Sequence, residues 1–331
     1  MTDPLAVGVL GVGSMGANHA RVYDELPETR LVGVHDADRE RAEAVAAERG
    51  TDALATADLL DRAAAVSVAV PTPAHASVVR TCLDAGVDAL VEKPFVTDPD
   101  VGRRLASEAA ERDVTLQVGH VERFNPAVSV VEDVLGDADL FAVHARRLGP
   151  PVDRDMRAGV VVDLMIHDLD VVNVLADAPV RSVCAQGAAD GRHTTATLRF
   201  EDGPVATLTA SRVTQRKVRR LDIVADERFV SVDYLDQSVE VYRRSVPEYV
   251  RDDGEIRYRH ESVVERPMVE RVEPLKAELA SFVGAVRGEH PPVVPPEAGI
   301  AALELAREID RRARTDGRIE GTPRRIGGGA S

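Results

Sequence analysis

At 331 residues and 44% hydrophobic content, the chain is long enough for two domains, each with its own core. A formal charge of −15 argues against a nucleic-acid surface, and no apolar window approaches the length of a membrane span, so the sequence reads as soluble and cytoplasmic. Only three of the 41 basic residues are lysine, a balance expected of a high-salt habitat where carboxylates keep the surface hydrated, although a GC-rich genome also favours arginine. Residues 5–10 read as a buried strand that runs into Gly11-Val-Gly13-Ser14-Met15-Gly16 and then a helix to about residue 25. This is a dinucleotide fingerprint in its strand–loop–helix setting. Gly11 permits the tight turn, Gly13 admits a pyrophosphate to the backbone, and Gly16 lets helix and strand pack closely. The first-turn N–H groups, at Ser14 and Met15, hold phosphate without a cation. A second strand, 31–35, ends at Asp36, whose carboxylate can accept from the adenosine ribose hydroxyls and repel a 2′-phosphate. NAD is therefore expected in preference to NADP, with Arg39 as the nearby residue that could accommodate the phosphate.

The alternation continues with helices at 39–49 and 57–62 and an apolar strand at 65–70. Pro71-Thr72-Pro73-Ala74-His75 reads as an extended loop that brings Thr72 and His75 to the cofactor, with a structural role at a helix start as the alternative for His75. A helix at 76–85 stops at Gly86, and the next strand ends abruptly in Glu92-Lys93-Pro94. Those residues project from the carboxyl edge, where open α/β sheets bind ligands. A helix at 98–112 and a strand at 115–118 complete a doubly wound parallel sheet. Cys82 and Cys184 have no partner at metal-ligand spacing; buried thiols are expected, and no metal.

In the second half, Arg123 and Asn125 precede Pro126, which starts a helix to about residue 136. Asn125 is either its N-cap or, with Arg123, a ligand contact. Arg146, Arg147, Arg154 and Arg157 form a basic cluster that is either a solvated face or a diphosphate site. On a helix at 163–176, Asp163 and His167 share a face, so the carboxylate can orient the imidazole; Asp170 lies nearly on that face and Asp168 points elsewhere. The apolar surroundings of this pair suggest an active site. From 183 the period becomes two, with strands at 193–200, 205–211, 220–225, 229–235, 238–243 and 256–264, followed by helices at 274–287 and 296–315, the last returning to the first domain. The expected architecture is α/β: an N-terminal Rossmann domain (1–121), a C-terminal α+β domain with a large, open, mostly antiparallel sheet (122–322), and a flexible tail (323–331).

Gly11-x-Gly13-x-x-Gly16, Thr72-Pro73-x-His75 and Glu92-Lys93-Pro94 in succession resemble the Gfo/Idh/MocA family of sugar-type dehydrogenases. Residues 118–126 are similar to that family's domain junction, and 163–170 to its catalytic helix. Within the family, 123–126, 146–150 and 159–168 most resemble the UDP-N-acetylglucosamine 3-dehydrogenases. The resemblance implies NAD-dependent oxidation of a secondary hydroxyl at C3 of a UDP-sugar. His167 is expected as base, oriented by Asp163, and Lys93 as oxyanion stabiliser or proton relay, with those two roles exchangeable. Glu92 is expected on the nicotinamide ribose, and Lys93, Arg123, Asn125, Arg154, Asp163 and His167 on the substrate. A homodimer or homotetramer through the free face of the C-terminal sheet is also implied. The alternatives are an inositol or free-sugar dehydrogenase and a non-catalytic NAD or sugar sensor, which could dispense with Lys93 and His167.

Overall fold

The computed structural model describes residues 3–151, 159–244, 248–252, 255–259 and 262–315. The apolar runs and glycine-punctuated helices of the first third form β1 (Leu5–Leu10), α1 (Ser14–Glu25), β2 (Thr29–His35), α2 (Arg39–Arg49), α3 (Thr56–Leu60), β3 (Ala65–Val68), α4 (Thr72–Ala85), β4 (Asp88–Glu92), α5 (Pro99–Glu111) and β5 (Leu116–Gly119). The strands pair in parallel in the order β2-β1-β3-β4-β5. β3 and β5 are buried at every residue, as strands covered by helices on both faces must be. The carboxyl ends of β1, β3 and β4 therefore open onto one edge. One expectation fails there: Thr72 and Pro73 begin α4 instead of extending a loop to His75. Proline in a helix's first turn lacks only an N–H that has no intrahelical partner, so Pro73 starts the helix.

Beyond a 3₁₀ turn at Val121–Phe124 come α6 (Pro126–Leu135) and β6 (Leu140–Leu148), then a π turn at Val161–Met165 that runs into α7 (Ile166–Ala176). The strands that follow are β7 (Val180–Ala188), β8 (His193–Phe200), β9 (Val205–Ser211), β10 (Val218–Ala225), β11 (Arg228–Asp233), β12 (Ser238–Arg244), β13 (Glu248–Asp252), β14 (Glu255–Arg259) and β15 (Ser262–Glu265). Seven of them join β6 in an eight-stranded sheet of order β15-β12-β11-β10-β6-β9-β8-β7, antiparallel except for β6 against β9. The single strand expected over 256–264 is divided: β14 pairs with β13 in a separate ribbon, and β15 joins β12. β6, read from sequence only as part of a basic cluster, lies inside the sheet. Cys82 is buried as expected, but Cys184 is exposed on the edge strand β7.

The last two helices, α8 (Pro274–Val286) and α9 (Pro296–Thr315), join the halves. Leu275, Leu279 and Phe282 of α8 pack with Val7, Val9 and Tyr23. On α9, Ile300 and Leu303 pack with Val96, Leu105 and Val118, while Ala302, Ala306 and Ile309 pack with Leu169 and Leu198 in the core under the large sheet. Alternate sides of one helix thus belong to two cores, which fixes the strand edge against α7. Among the described residues, no helix is long and apolar enough to cross a membrane. Residues 323–331, expected as a tail, lie outside the described residues.

Candidate active site

At the end of β1, Gly11 has φ +89°, and a side chain there would meet the backbone of Ala69 and Val70. A Cβ on Gly16 would collide with the Gly11 carbonyl oxygen, whereas one on Gly13 would meet nothing within 4 Å. The loop is closed beneath and open above, the shape a dinucleotide pyrophosphate needs. Gly13 caps α1 without a side-chain hydrogen bond, leaving first-turn N–H groups at Ser14 and Met15 for an anion. Asp36 accepts from Val12 N (2.8 Å) and Asp38 N (2.9 Å), so the carboxylate is held against this loop. Burial opposes its ionisation, but these N–H groups and Arg41 hold its pKa below the usual value. Arg41, not Arg39, is the cation beside it (3.3 Å); Arg39 turns outward to Glu43. The residues present thus fit NAD, with an ionised carboxylate where a 2′-phosphate would have to lie.

Thr72, Lys93, Pro94, Asp163 and Arg307 line a cavity of about 530 Å³ at this edge. Lys93 Nζ donates to the main-chain oxygen of Asp163 (2.8 Å) and lies 3.9 Å from its Oδ1. The end of β4 is thereby joined to the entry of α7, although 70 residues separate them in sequence. Two neighbours expected on the cofactor support this strand end. Nδ1 of buried His75 lies 3.1 Å from the carbonyl oxygens of Pro94 and Phe95, and its Nε2 lies 2.8 Å from that of Val70. Glu92 is buried, with Oε1 3.0 Å from His19 Nε2 and Oε2 accepting from Lys93 N (3.2 Å). Burial works against ionisation of Glu92, but His19 and Lys93 hold its pKa low. His19 in turn reaches Ser67 Oγ (2.9 Å), which meets Tyr23 Oη (2.9 Å). A histidine inside an ordinary helix gave no sequence signal for this network.

His167 follows one turn after Asp163, but Asp163 does not orient its ring. The Asp163 carboxylate accepts from Arg212 Nη2 (2.8 Å) and faces Lys93, whereas His167 Nδ1 is buried without a hydrogen-bond partner among the described residues. Two cations have captured the acid. His167 is not part of the 530 Å³ cavity's lining, but its ring meets that of buried His120 edge-to-face, with centroids 6.4 Å apart and planes at 82°. Burial, then the charges of Lys93 and Arg147, hold the His167 pKa well below the ordinary value. Burial also lowers that of His120.

Two arginines around α7 are paired internally. Asp168 receives a bidentate fork from buried Arg147 (2.8 and 2.7 Å), whose remaining Nη1 donates to Glu122 (2.7 Å). Asp170 receives Arg123 in the same way (2.9 and 3.1 Å). Arg123, expected on the substrate, is held by α7 through this pair. Asn125 is the N-cap of α6, the first of its two readings, with Oδ1 accepting from Ala127 N (3.2 Å) and Nδ2 donating to Tyr234 O (3.2 Å). Arg146 cannot join Arg147 at one ligand, because consecutive strand residues face opposite ways; it turns outward to Asp222 (3.0 Å). Arg154 and Arg157 lie outside the described residues.

Glycine loop, ribose-side carboxylate and lysine-tipped strand define a dinucleotide-dependent oxidoreductase. Residues 5–120 match the NAD-binding Rossmann-fold domain of the Gfo/Idh/MocA oxidoreductase family, and residues 129–230 match that family's C-terminal domain. The chain belongs to the Gfo/Idh/MocA family and binds NAD. It is 34% identical over 310 residues to the UDP-N-acetylglucosamine 3-dehydrogenase of Acidithiobacillus ferrooxidans, an alignment covering 92% of this chain and 96% of that one. A solved structure of the same Acidithiobacillus enzyme superposes with a TM-score of 0.86 at 32% identity, over 94% of this chain and 98% of that one. An inositol 2-dehydrogenase of Rhodococcus erythropolis is 34% identical over 193 residues, covering 54% of this chain and 55% of its own.

Proposed function

We propose that the protein oxidises the C3 hydroxyl of UDP-N-acetylglucosamine, or of a closely related UDP-sugar, to the 3-keto sugar. The observation carrying this reading is the contact of Lys93 Nζ with Asp163 O, which brings the cofactor edge and the α7 wall to one cleft; similarity over nearly the whole chain to a dehydrogenase of that name supports the choice of sugar. NAD, when bound, supplies the two-electron acceptor. His167, kept neutral by burial and by Lys93, accepts the hydroxyl proton. Lys93 donates a hydrogen bond to the sugar oxygen as negative charge develops on it. Asp163 is a positioning residue, holding Lys93 and Arg212 at the cleft. His75 and Glu92 fix the strand end on which Lys93 stands.

A polyol such as inositol is the second reading, favoured by one observation: Arg146 and Arg147, candidates for a diphosphate, are committed to Asp222 and Asp168. A panel of UDP-N-acetylglucosamine, inositol and glucose with NAD, followed by absorbance of the reduced nicotinamide, separates the readings. Transfer of deuterium from C3-deuterated UDP-sugar to the coenzyme is the expected result; turnover of inositol alone overturns it.

Two features of the setting complete the proposal. Phe229, Tyr242 and Val264 face each other across β11, β12 and β15 and are exposed, and an apolar row of this kind on the sheet's outer face suits a homodimer or homotetramer. The net charge of −15 with three lysines suits a high-salt habitat.

A further inference from the structure

We propose that Arg219 and Arg212 form the anion-reading end of the substrate cleft and grip the diphosphate of a nucleotide sugar, a ligand identity that rests on the reading above. Arg219 stands opposite Arg147 in the β10–β6 register. Cross-strand partners share a face, and Arg147 is buried against Asp168 of α7. Arg219 is therefore on the catalytic side of the sheet, while its neighbour Arg220 pairs outward with Asp233.

What distinguishes Arg219 from Arg123 and Arg147 is its partners. Its Nη1 donates to two main-chain carbonyls, Leu148 O (2.6 Å) and Val218 O (2.8 Å), and no carboxylate pairs with it among the described residues. Burial and the charges of Arg147 and Arg212, opposed by those of Asp168 and Glu122, push its pKa down to about 10. A half-buried guanidinium whose hydrogen bonds among the described residues go to main-chain carbonyls is stabilised by an anion. Arg212 supplies the second fork. Its Nη2 holds Asp163, its Nε is buried without a partner among the described residues, and its Nη1 lies 3.9 Å from the position a Cβ on Gly149 would take. Both guanidiniums thus flank the Leu148–Gly149 end of β6, where glycine presents no side chain. The sequence of contacts Lys93, Asp163, Arg212 leads from the reacting end of the cleft toward Arg219. Guanidinium forks match phosphate oxygens, and two of them suit a diphosphate; a cyclitol offers no charge for them.

The test titrates UDP calorimetrically into NAD-saturated wild type, Arg219→Ala and Arg219→Lys, alongside steady-state kinetics with UDP-N-acetylglucosamine. Arg219→Ala is expected to weaken UDP binding and raise KM for the UDP-sugar by about thirtyfold, leaving kcat within about threefold and NAD affinity unchanged. Arg219→Lys should recover part of the loss. If Arg219→Ala no longer binds NAD, the lysine variant carries the comparison. Failure of UDP to bind wild type, or equal binding to wild type and variants, overturns the proposal. If the wild type oxidises no UDP-sugar yet binds UDP through Arg219, the anion site stands and the choice of sugar falls. If Arg219→Ala oxidises the UDP-sugar with an unchanged KM, the sugar stands and the anion site falls.

Discussion

The sheet-edge wall and the α7 wall of the cleft hold charge by different means. At the sheet edge, an open glycine loop and a helix start present main-chain N–H groups, and the nearest carboxylate, Asp36, is tied to that backbone. At α7, side chains dominate, and most are consumed internally: Arg147 by Asp168 and Glu122, Arg123 by Asp170. The backbone site keeps the first-turn N–H groups of Ser14 and Met15 for the ligand, while Asp36 takes that of Val12. A side-chain site offers only what internal pairing leaves, and at α7 that is His167 and Arg219, neither of which a carboxylate pairs among the described residues.

The largest effect that would sharpen this contrast is at the loop. Gly16→Ala forces the new Cβ against Gly11 O, and NAD affinity measured by calorimetry should fall by about a hundredfold, close to 3 kcal/mol. On the opposite wall the cost should appear in folding. Asp168→Asn leaves the buried Arg147 guanidinium undercompensated, and urea unfolding should report a loss of about 3 kcal/mol. A folded stability within about 0.5 kcal/mol of wild type would break the claim that this pair is internal.

Much of the first wall was legible because its signals are local. Gly11, Gly13, Gly16 and Asp36 act through chain geometry within a single strand–helix–strand unit, and periodicity places that unit. Lys93 was legible for a similar reason, since an apolar run ending in charge marks a strand edge. The second wall was only half legible. Spacing puts Asp163 near His167, but nothing local shows that Arg212, 49 residues on, takes the acid. Arg146 and Arg147 read as one cluster because β6 was not recognised as a strand, and period two sends them to opposite faces. Asn125 carries both readings in the sequence, and its side chain caps α6.

Acidity probes the α7 wall next. His167 and His120 are held below the ordinary histidine value of 6.5, so below that pH the unfolded chain binds more protons than the folded one. Their contribution to stability is present above pH 6.5 and is lost as pH falls toward the folded values. Denaturant midpoints should therefore drop on acidification through this window, less steeply in His120→Gln. Because His167 stays neutral, kcat should not halve near pH 6.5; a limb there would show an ordinary histidine. The smallest effect belongs to Asn125→Ala, which removes the α6 cap and should cost about 1 kcal/mol in urea while leaving KM for the sugar unchanged. A raised KM would return Asn125 to the substrate.

The central claim is that Lys93 and His167, one from each wall, serve a single carbon atom beside the coenzyme. Single-turnover oxidation of the sugar by Lys93→Met and His167→Asn, with NAD affinity measured on the same samples, tests it most directly. Each variant should bind NAD within about threefold of wild type and transfer hydrogen at least about a hundredfold more slowly. Wild-type transfer in either variant, or loss of NAD binding in both, would contradict it.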